Sequence, residues 1–186
     1  YNEAEAKQIL ESAGYVDTDG DGYVEKDGQN ISLTIAYYKR LSQEAIATEL
    51  QSALKKIGIQ SELQLHEGTK YLPNKEYDLG FYSMVTMPTG DPAYYLNALL
   101  SEGGAVNYSG YDNHAIQVLL KQLNDTYDTK ERKEIVKQIE EMLLASYSIT
   151  YIGFNNLIFA TRKELKNFVP HVTDYYQITV DLELQS

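Results

Sequence analysis

ISLTIAYYKRLSQEAIATELQSALKKIGIQSELQLH, Ile31 to His66, is the stretch on which the fold turns. Its first residues alternate, with Ile31, Leu33, Ile35 and Tyr37 on one side, as in a half-buried strand. Ser42 then stands where a helix cap belongs. Ile46, Leu50, Ala53, Leu54 and Ile57 follow at helical spacing, and Gly58 supplies the stop. From Ile59 to His66 the alternation returns through Leu63 and Leu65. A strand, a helix and a second strand form a crossover long enough to make the two strands parallel. The expected fold class is therefore α/β, an open mixed sheet flanked by helices.

The flanks extend this pattern. Upstream, Asn2 and Glu5 form a capping box for a helix through Ala13, with Ala6, Ile9, Leu10 and Ala13 on its apolar face and Gly14 closing it. Downstream, YDLGFYSM (Tyr77–Met84) is expected as a further strand, followed by the turn-rich VTMPTG. Asp91-Pro92 opens a helix carrying Tyr95, Leu96, Leu99 and Leu100 to a break at Gly103-Gly104. Two longer helices follow. One starts near Asp112 and buries Ile116, Leu119, Leu120 and Leu123. The other is capped by Asp128 and buries Ile135, Val136, Ile139, Met142 and Leu143. SITYIGF, LIFAT and ITVDLEL are β-branched and aromatic, and are expected as strands. With no repeat or low-complexity linker, the 186 residues read as one α/β unit.

Composition narrows the function. The 27 acidic residues against 16 basic give a net charge of −11, the wrong sign for a nucleic-acid partner or an anionic membrane surface. Without cysteine there is no disulfide, thiolate or cysteine-ligated metal chemistry. No stretch approaches the roughly 20 apolar residues that span a bilayer. The 17 tyrosines, beside 4 Phe and no Trp, suit wet clefts as well as half-buried sheets. The chain opens YNEAEA without an initiator Met, which suggests a piece of a longer protein.

Catalytic signatures are missing. His66, His114 and His171 form no HExxH or other ligand pair, and read as surface or satisfied residues. There is no GxSxG elbow, P-loop or GxGxxG, and KERKEIVKQIEE has the pattern of a solvated helix face. A non-enzymatic role is expected, with no required cofactor.

Two loops remain as candidate sites. DTDGDGYVEKDG (Asp17–Gly28) spaces Asp17, Asp19, Asp21, Gly22 and Tyr23 as an EF-hand calcium loop does, but its twelfth position is Gly28, which has no carboxylate. A strand also follows where a second helix would be needed. Glu25 or Asp27 could close a looser site. The plain alternative is a solvated turn of Asp side chains bonded to nearby amides. A structural Ca²⁺ on Asp17, Asp19, Asp21, Tyr23 and Glu25 would make the chain a calcium-stabilised interaction module, the alternative function. The second loop, FYSMVTMPTGDP, follows a strand end, where open α/β sheets bind ligands. Tyr82, Ser83, Thr86 and Thr89 offer hydroxyls, and Met84 and Met87 soft apolar groups, a mixture that suits a polar ligand with apolar parts. Asp91 is better explained as a helix cap.

Four segments in order, YNEAEAKQILESAGYVDTDGDGYVEKDG, LQSALKKIGIQSELQL, YDLGFYSMVTMPTGDPAYYLN and NYSGYDNHAIQVLL, resemble the C-terminal part of family 5 extracytoplasmic solute-binding proteins of ABC importers for peptides or nickel. The resemblance implies one lobe of a two-lobed, type II periplasmic-binding-protein-like fold, with residues 1–186 forming the C-terminal lobe. It also implies a missing N-terminal lobe in the same chain, an ABC permease as membrane partner, and a small solute, peptide or nickel chelate, taken up by lobe closure. Tyr82–Thr89 would then lie at the interlobe cleft, and the acidic loop would be a common family element. The tail Tyr175–Leu184, within 175–186, would return towards the other lobe. An extracytoplasmic location, with a lipid anchor on a segment absent here, is implied too. Nickel-binding relatives use a Trp in the loop and a His after the next helix. This sequence has Thr86 and Met87 in the loop, no Trp, and no His in Ser101–Gly104. Peptide-binding relatives often place an acidic residue in the loop to meet the peptide's amino terminus, for which Asp91 is the one candidate here.

Overall fold

The fold is taken from a computed structural model that describes residues 1–40, 42–171 and 177–185. Where the sequence suggests one α/β lobe over 1–186, contacts within the chain gather into two compact units, Tyr1–Ser83 and Met84–Ser186.

In the first unit, α1 (Glu3–Ser12) starts at Asn2, whose side chain accepts a hydrogen bond from Glu5 N and donates one to Glu5 Oε2, the expected reciprocal cap. Its apolar face is only partly covered, and Ile9 is exposed. A short hairpin follows, β1 (Glu25–Lys26) against β2 (Gln29–Asn30). The crossover then appears as the sequence indicates. Strand β3 (Ser32–Tyr38) lies parallel to β4 (Gln60–His66), pairing from Ser32↔Gln60 to Tyr38↔His66, and α2 (Gln43–Lys56) connects them. Ile35 and Tyr37 of β3 form a buried cluster with Ala47 and Phe81, against which Ile46, Leu50, Leu54 and Leu63 pack. Ala36 and Tyr38, on the opposite face of β3, are buried too, as both faces of a central parallel strand usually are. Gly58 ends α2 at φ +82, and a Cβ there would come within 3.0 Å of Val24 Cγ1, so both backbone and space call for glycine.

Three expectations change in this unit. Ser42 makes no side-chain cap; its backbone is left-handed, at φ 70, and α2 begins at Gln43 without a side-chain cap bond. Leu65 is exposed although it belongs to the alternating set and shares its face with Leu63, since it lies near the end of the edge strand β4. The strand at Tyr77–Met84 shrinks to β5 (Leu79–Gly80), paired parallel with Ile35 and Ala36 to give the order β4-β3-β5. Backbone bonds from Asp78 N to Thr34 O and from Phe81 N to Ala36 O flank the pair. Beyond Phe81 the ladder stops, because Ser83 N donates to the Tyr38 hydroxyl and not to a backbone carbonyl.

The second unit is mainly helical. Helices α3 (Ala93–Leu100), α4 (His114–Asp125) and α5 (Thr129–Ala145) bury Tyr95, Leu96, Leu99 and Leu100, then Ile116, Leu120 and Leu123, then Ile135, Ile139 and Leu143 in one cluster. These are the faces that helical spacing marks out. Asn113 caps α4 through Ala115 N and Ile116 N, one residue past the Asp112 start read from sequence. Asp128 caps α5 through Lys130 N and Glu131 N, as expected.

The expected carboxy-terminal strands are mostly not formed. Residues 148–161 contain no strand, and Phe154 and Ile158 are largely exposed. A β-favouring composition becomes a strand only beside a partner edge, and among the described residues no backbone–backbone hydrogen bond reaches 149–161. Of ITVDLEL, only β7 (Glu183–Leu184) is a strand, antiparallel to β6 (Leu165–Lys166). Tyr175, Tyr176 and Ser186 of the expected returning tail lie outside the described residues.

Candidate functional site

The carboxyl ends of β3 and β5 meet at a small polar arrangement. Gln43, buried at the first turn of α2, accepts from Tyr38 N (3.1 Å) through Oε1 and donates to Ser83 Oγ (3.3 Å) through Nε2. Ser83 N in turn donates to the Tyr38 hydroxyl (3.2 Å). Tyr38 and Gln43 therefore fix the point at which the chain leaves the sheet, and Tyr82 beside it is partly exposed. Periodicity singles out neither residue. Tyr38 falls outside the alternating set of Ile31, Leu33, Ile35 and Tyr37, and Gln43 looks like an ordinary polar residue in a first helical turn. Nearby, Tyr71 Oη lies 3.2 Å from Ala36 O and 3.1 Å from Phe81 O, and burial pushes its hydroxyl well above the usual tyrosine pKa. His66 stacks on Tyr71 with ring centroids 4.0 Å apart. Among the described residues its Nε2 is buried without a hydrogen-bond partner, whereas the sequence reads the three histidines as surface or satisfied residues.

The rest of the candidate ligand loop belongs to the second unit. Met84 packs against that unit's helical cluster, so its thioether is committed to the core. Thr86 is half-buried, Met87 and Thr89 are exposed, and Gly90 N closes a turn onto Met87 O. Two surface depressions in the first unit, of about 430 Å³ around Gln51, Ser52 and Ser61 and about 280 Å³ around Tyr15, Val16 and Gly58, include none of Tyr82–Thr89.

Asp91 is held by a partner the sequence does not reveal. Its Oδ1 accepts from Ala93 N (2.8 Å) at the start of α3, in keeping with a cap. Arg132 also grips the carboxylate in a two-point fork, Nε to Oδ2 at 2.9 Å and Nη2 to Oδ1 at 2.7 Å. Arg132 Nη1 donates to the carbonyls of Leu123 and Thr126 at the end of α4. The Arg132 hydrogen bond holds the Asp91 carboxyl below its ordinary pKa. Arg132 stands inside KERKE, where helical spacing suggests a solvated face. Its tie to Asp91 spans 41 residues, a separation that local pattern does not register.

The acidic loop does come together. Asp17, Asp19, Asp21 and Glu25 each bring a carboxylate oxygen to within 4.8 Å of the others. Asp17 accepts from Gly20 N and Gly22 N, Asp19 from Asp21 N, and Asp21 from Tyr23 N and Asn30 Nδ2. Gly22, at φ 92, makes the tight turn. Tyr23 follows half-buried, while Asp27 is exposed and outside the cluster.

Comparison with known proteins then assigns the family. The profile described as bacterial extracellular solute-binding proteins, family 5 Middle, matches residues 1–107. The chain belongs to this family. Among family 5 relatives, the nickel-binding protein NikA of Staphylococcus aureus is 33% identical over 150 residues, covering 80% of this chain and 30% of NikA. The oligopeptide-binding protein AppA of Bacillus subtilis is 30% identical over 188 residues, covering 96% of this chain and 34% of AppA. The crystal structure of Staphylococcus aureus NikA in complex with Ni(L-His)₂ superposes with a TM-score of 0.82 at 28% identity, covering 99% of this chain and 38% of that one. The α/β fold is thus that of family 5 solute-binding proteins. This chain spans about a third of the length of the curated relatives it matches.

Proposed function

We propose that this chain is the C-terminal lobe of the substrate-binding component of an ABC importer, which captures an oligopeptide or a nickel chelate outside the membrane and delivers it to a permease. The family assignment supports a binding role and gives no reason to look for catalysis. The observation that carries the site is the exit of the chain from the sheet at Phe81–Ser83. There Tyr38 and Gln43 hold Ser83, at the carboxyl edge where α/β sheets receive ligands, and Tyr82 is left accessible. Met87 and Thr89, exposed further along the same loop, are further candidates for ligand contact, and a second lobe supplied by the rest of the protein would close on the ligand. Between Tyr82 and Thr89 there is no His, Cys or carboxylate, so the loop suits a ligand read by hydroxyls and apolar contact, a peptide or an already chelated metal, and not a bare ion. Among the described residues no helix is long and apolar enough to cross a membrane, which is compatible with an extracytoplasmic protein held by a lipid anchor.

Calorimetry of the whole protein against Ni(L-His)₂ and against a mixed oligopeptide pool tests this reading. Saturable heat with one of the two is expected. Silence with both, from folded protein, would remove it.

A further inference from the structure

We infer that Asp17, Asp19, Asp21 and Glu25 form a calcium site closed by the ninth loop residue, Glu25, in place of the missing carboxylate at Gly28. The loop sequence alone would not carry this, since exposed aspartates bonded to nearby amides are ordinary turn chemistry. The independent observation is Glu25. Glu25 is only 6% exposed, and although Thr18 N and Oγ1 donate to Oε2 (2.6 Å each), Oε1 is buried with no hydrogen-bond partner among the described residues. A buried carboxylate oxygen without a donor is costly unless a cation or a proton satisfies it. Among the described residues none of the four acids is in a salt bridge.

The geometry fits the ion. Ligands around Ca²⁺ lie about 2.4 Å from it, so opposite ligands are separated by about 4.8 Å. The four carboxylates gather within that span. Calcium takes six to eight oxygens, and magnesium about 2.1 Å contacts in a strict octahedron, so a loose cluster of carboxylates favours calcium. Tyr23, at loop position seven, stands where a backbone carbonyl would join, with water completing the shell. Glu25 reaches the cluster because the Val16↔Glu25 bridge ties the start of β1 back onto the segment entering the loop. The ion would fasten α1 to the hairpin, bracing a turn without a signalling helix pair. This inference is independent of the ligand assigned to the loop after β5.

Thermal melts with CaCl₂, MgCl₂ or chelator, together with Tb³⁺ luminescence excited through tyrosine, test it on the chain and its variants. Calcium at about a hundredfold over Kd should raise the melting temperature by roughly 5–10 °C and displace Tb³⁺. Asp19→Asn and Glu25→Gln should each weaken calcium binding at least about tenfold, while Asp112→Asn, outside the loop, should match the parent. An unchanged melt at millimolar calcium would overturn the assignment. So would an equal rise with magnesium, or wild-type affinity in Asp19→Asn. Asp19 is exposed, so that variant decides the question even if Glu25→Gln fails to fold.

Discussion

Arg132 does several things at once. Its guanidinium forks onto Asp91 at the start of α3 and closes two carbonyls at the end of α4, so removing it frees a carboxylate and two helix-end acceptors together. Arg132→Ala should lower stability by about 1–3 kcal/mol at pH 7, and Arg132→Lys should not restore it, because an ammonium cannot reproduce the fork. The pH dependence has a definite sign. Asp91 has a folded pKa below its ordinary 3.8, so its contribution is complete above that value and is lost as pH falls through the lower, folded one. Denaturant melts should therefore show the gap between parent and Arg132→Ala narrowing from pH 7 to below pH 3.8. A gap that stays constant would mean that the lost carbonyl bonds, and not the ion pair, dominate. In the sequence, Asp91 is legible as a helix-start residue, whereas Arg132 is not, since its partner is fixed by tertiary packing.

At the scale of elements, legibility followed the source of order. The crossover β3–α2–β4 and the helices α3, α4 and α5 could be read because their apolar positions repeat with the period of the element and are buried on that face. Ile139, fully buried on α5, illustrates this, and Ile139→Ala should cost about 2–5 kcal/mol in a denaturant melt. Leu144→Ala, exposed on the same helix, should stay within about 0.5 kcal/mol. Equal effects would mean that α5 packs through a different face. Strands were less legible. Tyr77–Met84 has strand composition, yet only Leu79–Gly80 pair, because a hydroxyl of Tyr38 captures Ser83 N. Residues 148–161 have it too and remain unpaired among the described residues. Composition records what a strand tolerates, and a strand also needs an edge that lies elsewhere in the chain. The acidic loop was half legible. Its aspartate spacing was plain, but only the bridge between Val16 and Glu25 explains why Glu25, and not Asp27, joins the cluster.

For the whole molecule, the chain belongs to family 5 and spans about a third of the length of its curated relatives, and lobe closure is the mode of action proposed for it. The candidate binding loop was found by its place in the sheet, at the end of a parallel strand. The side chains that hold it, Tyr38 and Gln43, emerged only with the fold. Calorimetry of the whole protein with its ligand, comparing the parent with Tyr82→Ala and Met87→Ala, is the most direct test of ligand contact through this loop. If the loop contacts ligand as proposed, each substitution should weaken binding by at least about tenfold, with no loss in melting temperature. Parent-like affinity in both variants would contradict a binding role for the loop after β5.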